Sequence, residues 1–393
     1  MSEERKMVLK MIEDGKITAE EGSQLLEALK EDSSGQVKED ISKVKDAEDA
    51  QEASQTTDKK AAGHEAKPED GYISKDVNWD AEGGFRRAEE KVQTFAGRFT
   101  DFIEDAIYKI KESDLDFNFG NSVEVQHIFH HSGAHVEEAR VHIENGNVEF
   151  LPWDGDDVRV ECNVKVYKVE DAEEARRTFL NNVVFEVSDD KVKLESKKKT
   201  MKVHTVVRVP RAKLEEVKIY AFNGKITGER VSADKAEMQT VNGRIQFDHL
   251  HADKLKLETV NGTVSVNHLD AEKADIKTVN GTVTIKSARG DTEAETLNGT
   301  IHFSLTDPTF SRAYLKTTTG SVHVAVPSRM KTEGVLKSTI GNIDCDLPRM
   351  TIIDEKRDFA SKRVSFISNK NGDRQLYLEV EATTGSIYVQ SEH

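Results

Sequence analysis

The sequence predicts a mainly β fold: a parallel β-solenoid (β-helix) of about 19-residue rungs, preceded by an N-terminal α-helical hairpin and an amphipathic helix. Three observations carry this expectation. QTVNGRIQF, ETVNGTVSV, KTVNGTVTI and ETLNGTIHF follow one another with glycines at Gly243, Gly262, Gly281 and Gly299, a spacing of 19, 19 and 18 residues. Near-constant spacing of this length marks a repeat architecture. Weaker copies extend the series, with AFNGKIT at Gly224, TTTGSVHV at Gly320, STIGNIDC at Gly341 and ATTGSIYV at Gly385, and VHIENGNVEF at Gly146 fits the same template. Finally, like residues stand at like positions, as stacking demands.

Residues 1–31 read as a helical hairpin. Met7, Met11 and Ile12 mark one apolar stripe, Gly15 suits a C-terminal cap, and Thr18 with Glu21 makes a capping box for a helix carrying Leu25, Leu26 and Leu29. Helices this short do not hold alone in water, so these six apolar residues are candidates for binding a protein partner or a second copy. Residues 32–70 carry almost no large apolar side chains and read as a flexible acidic linker; residues 1–70 hold half of the net negative charge.

In the region 71–113, Phe85, Ala88, Val92, Phe95, Phe99, Phe102, Ala106 and Ile110 recur at helical spacing. Three roles remain open for this helix: a cap over the end of the β-domain, a partner or coiled-coil helix, or a membrane-surface helix. Its opposite face mixes charges, which counts against lipid. Phe85, Val92, Phe95, Phe99 and Phe102 are further partner-binding candidates.

The β-solenoid is expected over 114–393, each unit being two short strands joined by a glycine turn. Five residues before the glycine the column is apolar, running from Ile219 through Leu257 to Val380, and three before it is small, with threonine from Thr240 to Thr317. Strand alternation turns Ile245, Phe247, Val264, Val266, Val283 and Ile285 inward and sends Arg244, Gln246, Thr263, Ser265, Thr282 and Thr284 outward. A hairpin array with Asn-Gly as a type I′ turn is the competing arrangement; the constant period favours stacked rungs. Rungs about 4.8 Å apart place Asn242, Asn261, Asn280 and Asn298 in an amide ladder, and Asn-Gly suits a tight corner. Two insertions interrupt the series: a short helix within 171–180, and a segment of roughly 349–376 that separates the last rung from its predecessor.

The 393-residue chain has a formal net charge of −16, which argues against nucleic acid. No run approaches the roughly 18 apolar residues of a membrane span, and the N-terminus lacks a secretory signal, so the expectation is a cytoplasmic protein, with contact peripheral to the membrane allowed. Cys162 and Cys345 sit in strand-like contexts and imply no disulfide framework.

Catalysis finds little support. Outward columns after the glycine hold Thr, Ser, Arg, Gln and His, with Asp344 a lone acid, whereas glycoside hydrolysis needs two carboxyl groups. His127, His130, His131, His135 and His142 form the one metal-like group, yet no Cys or acidic ligand at fixed spacing accompanies them. They read as surface histidines, and His249, His251 and His268 as residues of rung-to-rung turns. Neither metal nor cofactor is expected.

The hairpin KMVLKMIEDGKITAEEGSQLLEAL, the linker and the TVNG rungs together resemble the YvlB/LiaX-like bacterial proteins, in which a short helical module precedes an adhesin-type β-solenoid domain. The resemblance implies a role in cell-envelope stress, in the response to membrane-damaging antibiotics and cationic peptides. It brings no catalytic residues. The resulting expectation is a non-enzymatic scaffold that recognises a protein, a cationic peptide or a membrane-associated partner; a surface adhesin and a carbohydrate-active β-helix enzyme are the alternatives.

Overall fold

The computed structural model describes residues 100, 102–104, 106–108, 120–305, 310–357 and 361–392. All fall in the second of two compact units, Asn78–His393. The hairpin of 1–31, the linker of 32–70, and Phe85, Val92, Phe95 and Phe99 lie outside the described residues.

The central rungs are single long strands. β9 (Ile226–Asn242), β10 (Ile245–Asn261), β11 (Val264–Asn280) and β12 (Val283–Asn298) follow β1 (Ser122–His131), β2 (Glu138–Asn145), β3 (Val148–Trp153), β4 (Val158–Tyr167), helix α1 (Ala172–Asn182), β5 (Val183–Ser188), β6 (Lys191–Ser196), β7 (Met201–Pro210) and β8 (Leu214–Asn223). β10 lies parallel between β9 and β11, with each residue opposite its repeat equivalent. Each rung therefore has three paired stretches where two were expected: in β10 these are 245–247, 249–252 and 254–259, with Asp248 and Asp253 unpaired at the breaks. At each break two consecutive residues face outward, so the buried positions run Phe247, Leu250, Ala252, Leu255, Leu257. Strict alternation hides this middle stretch. It also moves His249, His251 and His268 out of turns and into strand.

The remaining strands are β13 (Ile301–Leu305), β14 (Phe310–Thr319), β15 (Val322–Pro327), β16 (Lys331–Ile340), β17 (Ile343–Asp346), β18 (Thr351–Arg357), β19 (Lys362–Ser368), β20 (Gln375–Thr384) and β21 (Ile387–Glu392). Rungs here do not stack in chain order. The rung of Gly385, β20 with β21, inserts between that of Gly320 (β14, β15) and that of Gly341 (β16, β17). The connection from β15 to β16 thus skips one position, and the insertion of 349–376 brings the chain back into it. The opposite end does the same: β2 and β3, the Gly146 rung, lie between β8–β9 and a later pair, β6 and β7. Antiparallel strands close both ends, β19 on β16 and β4 on β7. Helix α1, N-capped by Asp171, buries Ala175 and Phe179 beside Phe129.

Three hydrogen-bonded ladders hold the Asn-Gly corners together. Each glycine N–H donates to the next rung, as from Gly262 to the Asn280 carbonyl at 3.0 Å. A Cβ on Gly262 would stand 1.8 Å from the Gly243 carbonyl oxygen, so only glycine permits this approach. The Asn261 amide donates to the Asn242 side chain at 3.0 Å, Asn280 to Asn261 and Asn298 to Asn280 at 2.9 Å, and the column begins one rung earlier, at Asn223. The buried Thr240, Thr259, Thr278, Thr296 and Thr317 hydroxyls donate to glycine carbonyls one rung back, at 2.8–3.0 Å. That gives the small column its reason: threonine fits the space and satisfies an otherwise unpaired carbonyl.

On the flank preceding the glycine, the outward column four residues before it alternates in sign from rung to rung: Glu258, Lys277, Glu295, Lys316, Glu381, Lys337. Beside the corner, Phe102 and Ala106 pack against Phe222 and Val241, with Tyr220 and Val260 alongside. This part of the amphipathic segment lies on the flank of the stack.

Candidate binding groove

On the face following the glycine, the antiparallel strands β1, β4 and β7 meet the parallel stretches of β3, β9 and β10, and α1 projects Arg176 along one side. The concavity encloses about 890 Å³. Its floor is set by register. Gln126 stands opposite Asn163, and Asn163 opposite His204, all on positions that alternate away from the core. The Asn147 backbone N–H donates to His204 Nδ1 at 3.1 Å, and the Asn147 side-chain oxygen accepts from the Lys225 backbone N–H at 3.0 Å. Lys225 and Arg244 are first after the glycine on successive rungs, so one row runs Gln126, Asn163, His204, Asn147, Lys225, Arg244. Six strands at about 4.8 Å make it roughly 24 Å long.

The row is rich in donors. Because Nδ1 of His204 accepts a hydrogen bond, its proton resides on Nε2, which is left to donate. Burial, then the Lys202 charge, hold His204 below the usual imidazole range; burial, then Arg176, do the same for His127. Both shifts favour the neutral imidazole. Glu161 is paired by Arg159 at 3.0 Å and by Arg208. Among the described residues, Arg176, Lys225 and Arg244 have no ion-pair partner, and Glu149 is the one lining carboxylate left unpaired. Beneath the floor, burial pushes the Cys162 thiol up to about 12, which removes it as a nucleophile.

Sequence reasoning identified Arg244 only as outward-facing and missed the rest of the row. One local signal existed: two cations, Lys225 and Arg244, stand in a column that is otherwise Asn, Thr or Ser.

Other polar groups were also placed differently from expectation. His131 ends β1 and His135 lies in the following loop. His135 instead has acidic neighbours, Asp190 at 3.2 Å and Glu137 at 3.9 Å, an exposed trio whose donor atoms lie within 4.8 Å of one another. His130 pairs with Asp157 and His142 with Glu144, each at 2.9 Å. Asp344 is not the lone acid of the columns after the glycine, because Glu149 stands third after Gly146, and the flank preceding the glycine carries Asp275, Glu293 and Glu295. The buried Lys277 reaches Asp275 at 3.3 Å and Glu293 at 3.8 Å. Burial lifts the Glu293 carboxyl to about 7, with Asp275 and Glu295 adding to the rise against Lys277.

A stacked, Asn-Gly-cornered β-domain behind a short N-terminal module defines the class. The chain belongs to the Toastrack DUF4097 family, whose model matches residues 136–390. Residues 3–34 match the SHOCT-like domain. Over 387 residues the chain is 35% identical to the uncharacterized protein YvlB of Bacillus subtilis, with 98% of each covered. It is also similar to solved structures described as a "putative adhesin": one from Bacteroides fragilis at 12% identity, over 67% of this chain and 97% of that one (TM-score 0.38), and one from Parabacteroides distasonis at 14% identity, over 68% and 97% (TM-score 0.39). No helix among the described residues is long and apolar enough to cross a membrane.

Proposed function

We propose that this protein is a non-enzymatic scaffold of the bacterial cell-envelope stress response, which recognises a protein, cationic peptide or membrane-associated partner. One observation supports a scaffold above all: three hydrogen-bonded ladders run from rung to rung and hold the outward columns in register, so the domain presents its side chains without reorganising. The apolar residues of 1–31 supply the associating part, and the acidic chain before residue 71 steers cationic partners at low salt. Deleting residues 1–31 is expected to lower the mass in solution or abolish partner capture. An unchanged mass together with unchanged capture removes the hairpin's role. Cell fractionation separates this reading from a surface adhesin, which would be recovered outside the membrane.

A carbohydrate-active reading draws on Glu293, a half-buried acid with a carboxyl near 7 and Asp275 beside it on the neighbouring rung. Polysaccharide turnover that disappears in Glu293→Gln would establish it in place of the scaffold.

A further inference from the structure

The donor row beside α1 has a chemistry of its own, independent of the hairpin and of the partner it holds. We infer that this groove binds an anionic polysaccharide, an extended chain of sugars bearing carboxylate or phosphate groups. The first reason is charge. Arg176, Lys225 and Arg244 converge on one concavity without ion-pair partners among the described residues, in a protein of net charge −16 where other cations, such as Arg208 and Lys256, sit against carboxylates. Cations gathered and left unpaired in an acidic protein create a local positive field that selects anions.

The second reason is the polar surface between those charges. Asn163 and Gln126 each offer an amide donor and an acceptor, the pair that a sugar hydroxyl engages, and His204 adds an Nε2–H fixed by its bond from Asn147. Neutral imidazole suits a hydroxyl better than it suits a second anion.

The third reason is shape. The row is about 24 Å long, several monomers rather than one ion, and strand pairing presents a side chain every 4.8 Å or so. Among the described residues the groove's lining holds no Phe, Tyr or Trp on which an unstacked nucleobase could rest.

The experiment uses the full chain in calorimetric titrations at low and at physiological salt. Polygalacturonate oligomers supply carboxylates, a phosphodiester-linked mannan supplies phosphates, and dextran and single-stranded oligo-dT serve as the neutral and nucleic-acid arms. The expected result is binding of either charged glycan, weakened by salt and at least tenfold weaker in Lys225→Glu and in Arg244→Glu. Lys235→Glu, exposed on β9 and outside the groove lining, should bind as the parent does. Preference between the two charged glycans identifies the anionic group. The inference is overturned if neither charged glycan binds, if dextran binds equally well, if oligo-dT binds as tightly as the glycans, or if Lys235→Glu loses as much affinity as Arg244→Glu. Circular dichroism of each variant separates lost binding from lost folding. Failure here leaves the scaffold reading intact, since that reading stands on the hairpin and on fractionation.

Discussion

Lys316 stands in register with Glu381, its neighbour across one parallel strand pair, although the two are far apart in the chain. Lys337 flanks Glu381 on the other side. Had the rungs stacked in chain order, Lys316 and Lys337 would be adjacent. Like charges directly opposite in a sheet are unfavourable, whereas opposite charges contribute roughly 0.2–1 kcal/mol. The interposed C-terminal rung thus completes a column of alternating sign that chain order would break.

Reversing that charge tests the point. Glu381→Lys should make three lysines adjacent and destabilise the domain by about 1–2 kcal/mol in urea unfolding. Glu381→Gln should cost less, and the difference between the two should shrink in high salt.

The corner glycines answer to close contact. Gly262→Ala places a methyl group 1.8 Å from the Gly243 carbonyl oxygen and should cost more than about 3 kcal/mol, enough to expose both neighbouring rungs to hydrogen exchange. Asn261→Ala breaks two amide contacts on a solvent-facing ladder and should cost about 1 kcal/mol.

The threonine column can be probed with an isostere. Thr278→Val keeps the volume but removes the hydroxyl that donates to the Gly262 carbonyl at 3.0 Å. A loss of about 1–2 kcal/mol by thermal unfolding is expected; a neutral result would mean that packing alone explains the column.

Facing is tested by one charge at two adjacent positions. Val283 is fully buried, so Val283→Asp should unfold the domain or cost more than about 4 kcal/mol, while Thr282→Asp should change stability by about 0.5 kcal/mol or less. Equal sensitivity would contradict the assigned faces.

The Glu293 carboxyl sets a pH dependence. Its folded pKa of about 7 lies above the ordinary glutamate value of 4.5, so between those values the folded state binds more protons than the unfolded state. Its contribution to stability is most favourable below about 4.5 and is lost as pH rises through 7. Glu293→Gln should therefore stabilise the protein at pH 8 by about 1–3 kcal/mol and flatten the unfolding curve between pH 4.5 and 7.

The repeat was legible because its physics is local to each rung. Ile245, Val264 and Val283 share a column since each must enter the same interior, and Asn261 and Gly262 recur since every corner makes the same close approach. The groove was far less legible. Asn163 and His204 come from strands that carry no Asn-Gly repeat, and they meet Lys225 only because β7 lies parallel on β3 and β4 folds back antiparallel onto β7. The middle stretch was missed for a simpler reason: at Asp248 and Asp253 alternation slips by one residue, and each slip resembles a turn.

Periodicity alone specified the rungs, their inward and outward columns and the Asn-Gly corners, because these follow from short-range sterics and from the partition of apolar side chains. Tertiary structure decided which rung lies on which. The inserted position of the Gly385 rung, the alternating charge column and the convergence of Arg176, Lys225 and Arg244 all depend on pairing between distant segments. Every rung offers nearly the same backbone edge, so local sequence cannot rank its possible neighbours; that ranking comes from side chains that meet only once the stack has formed.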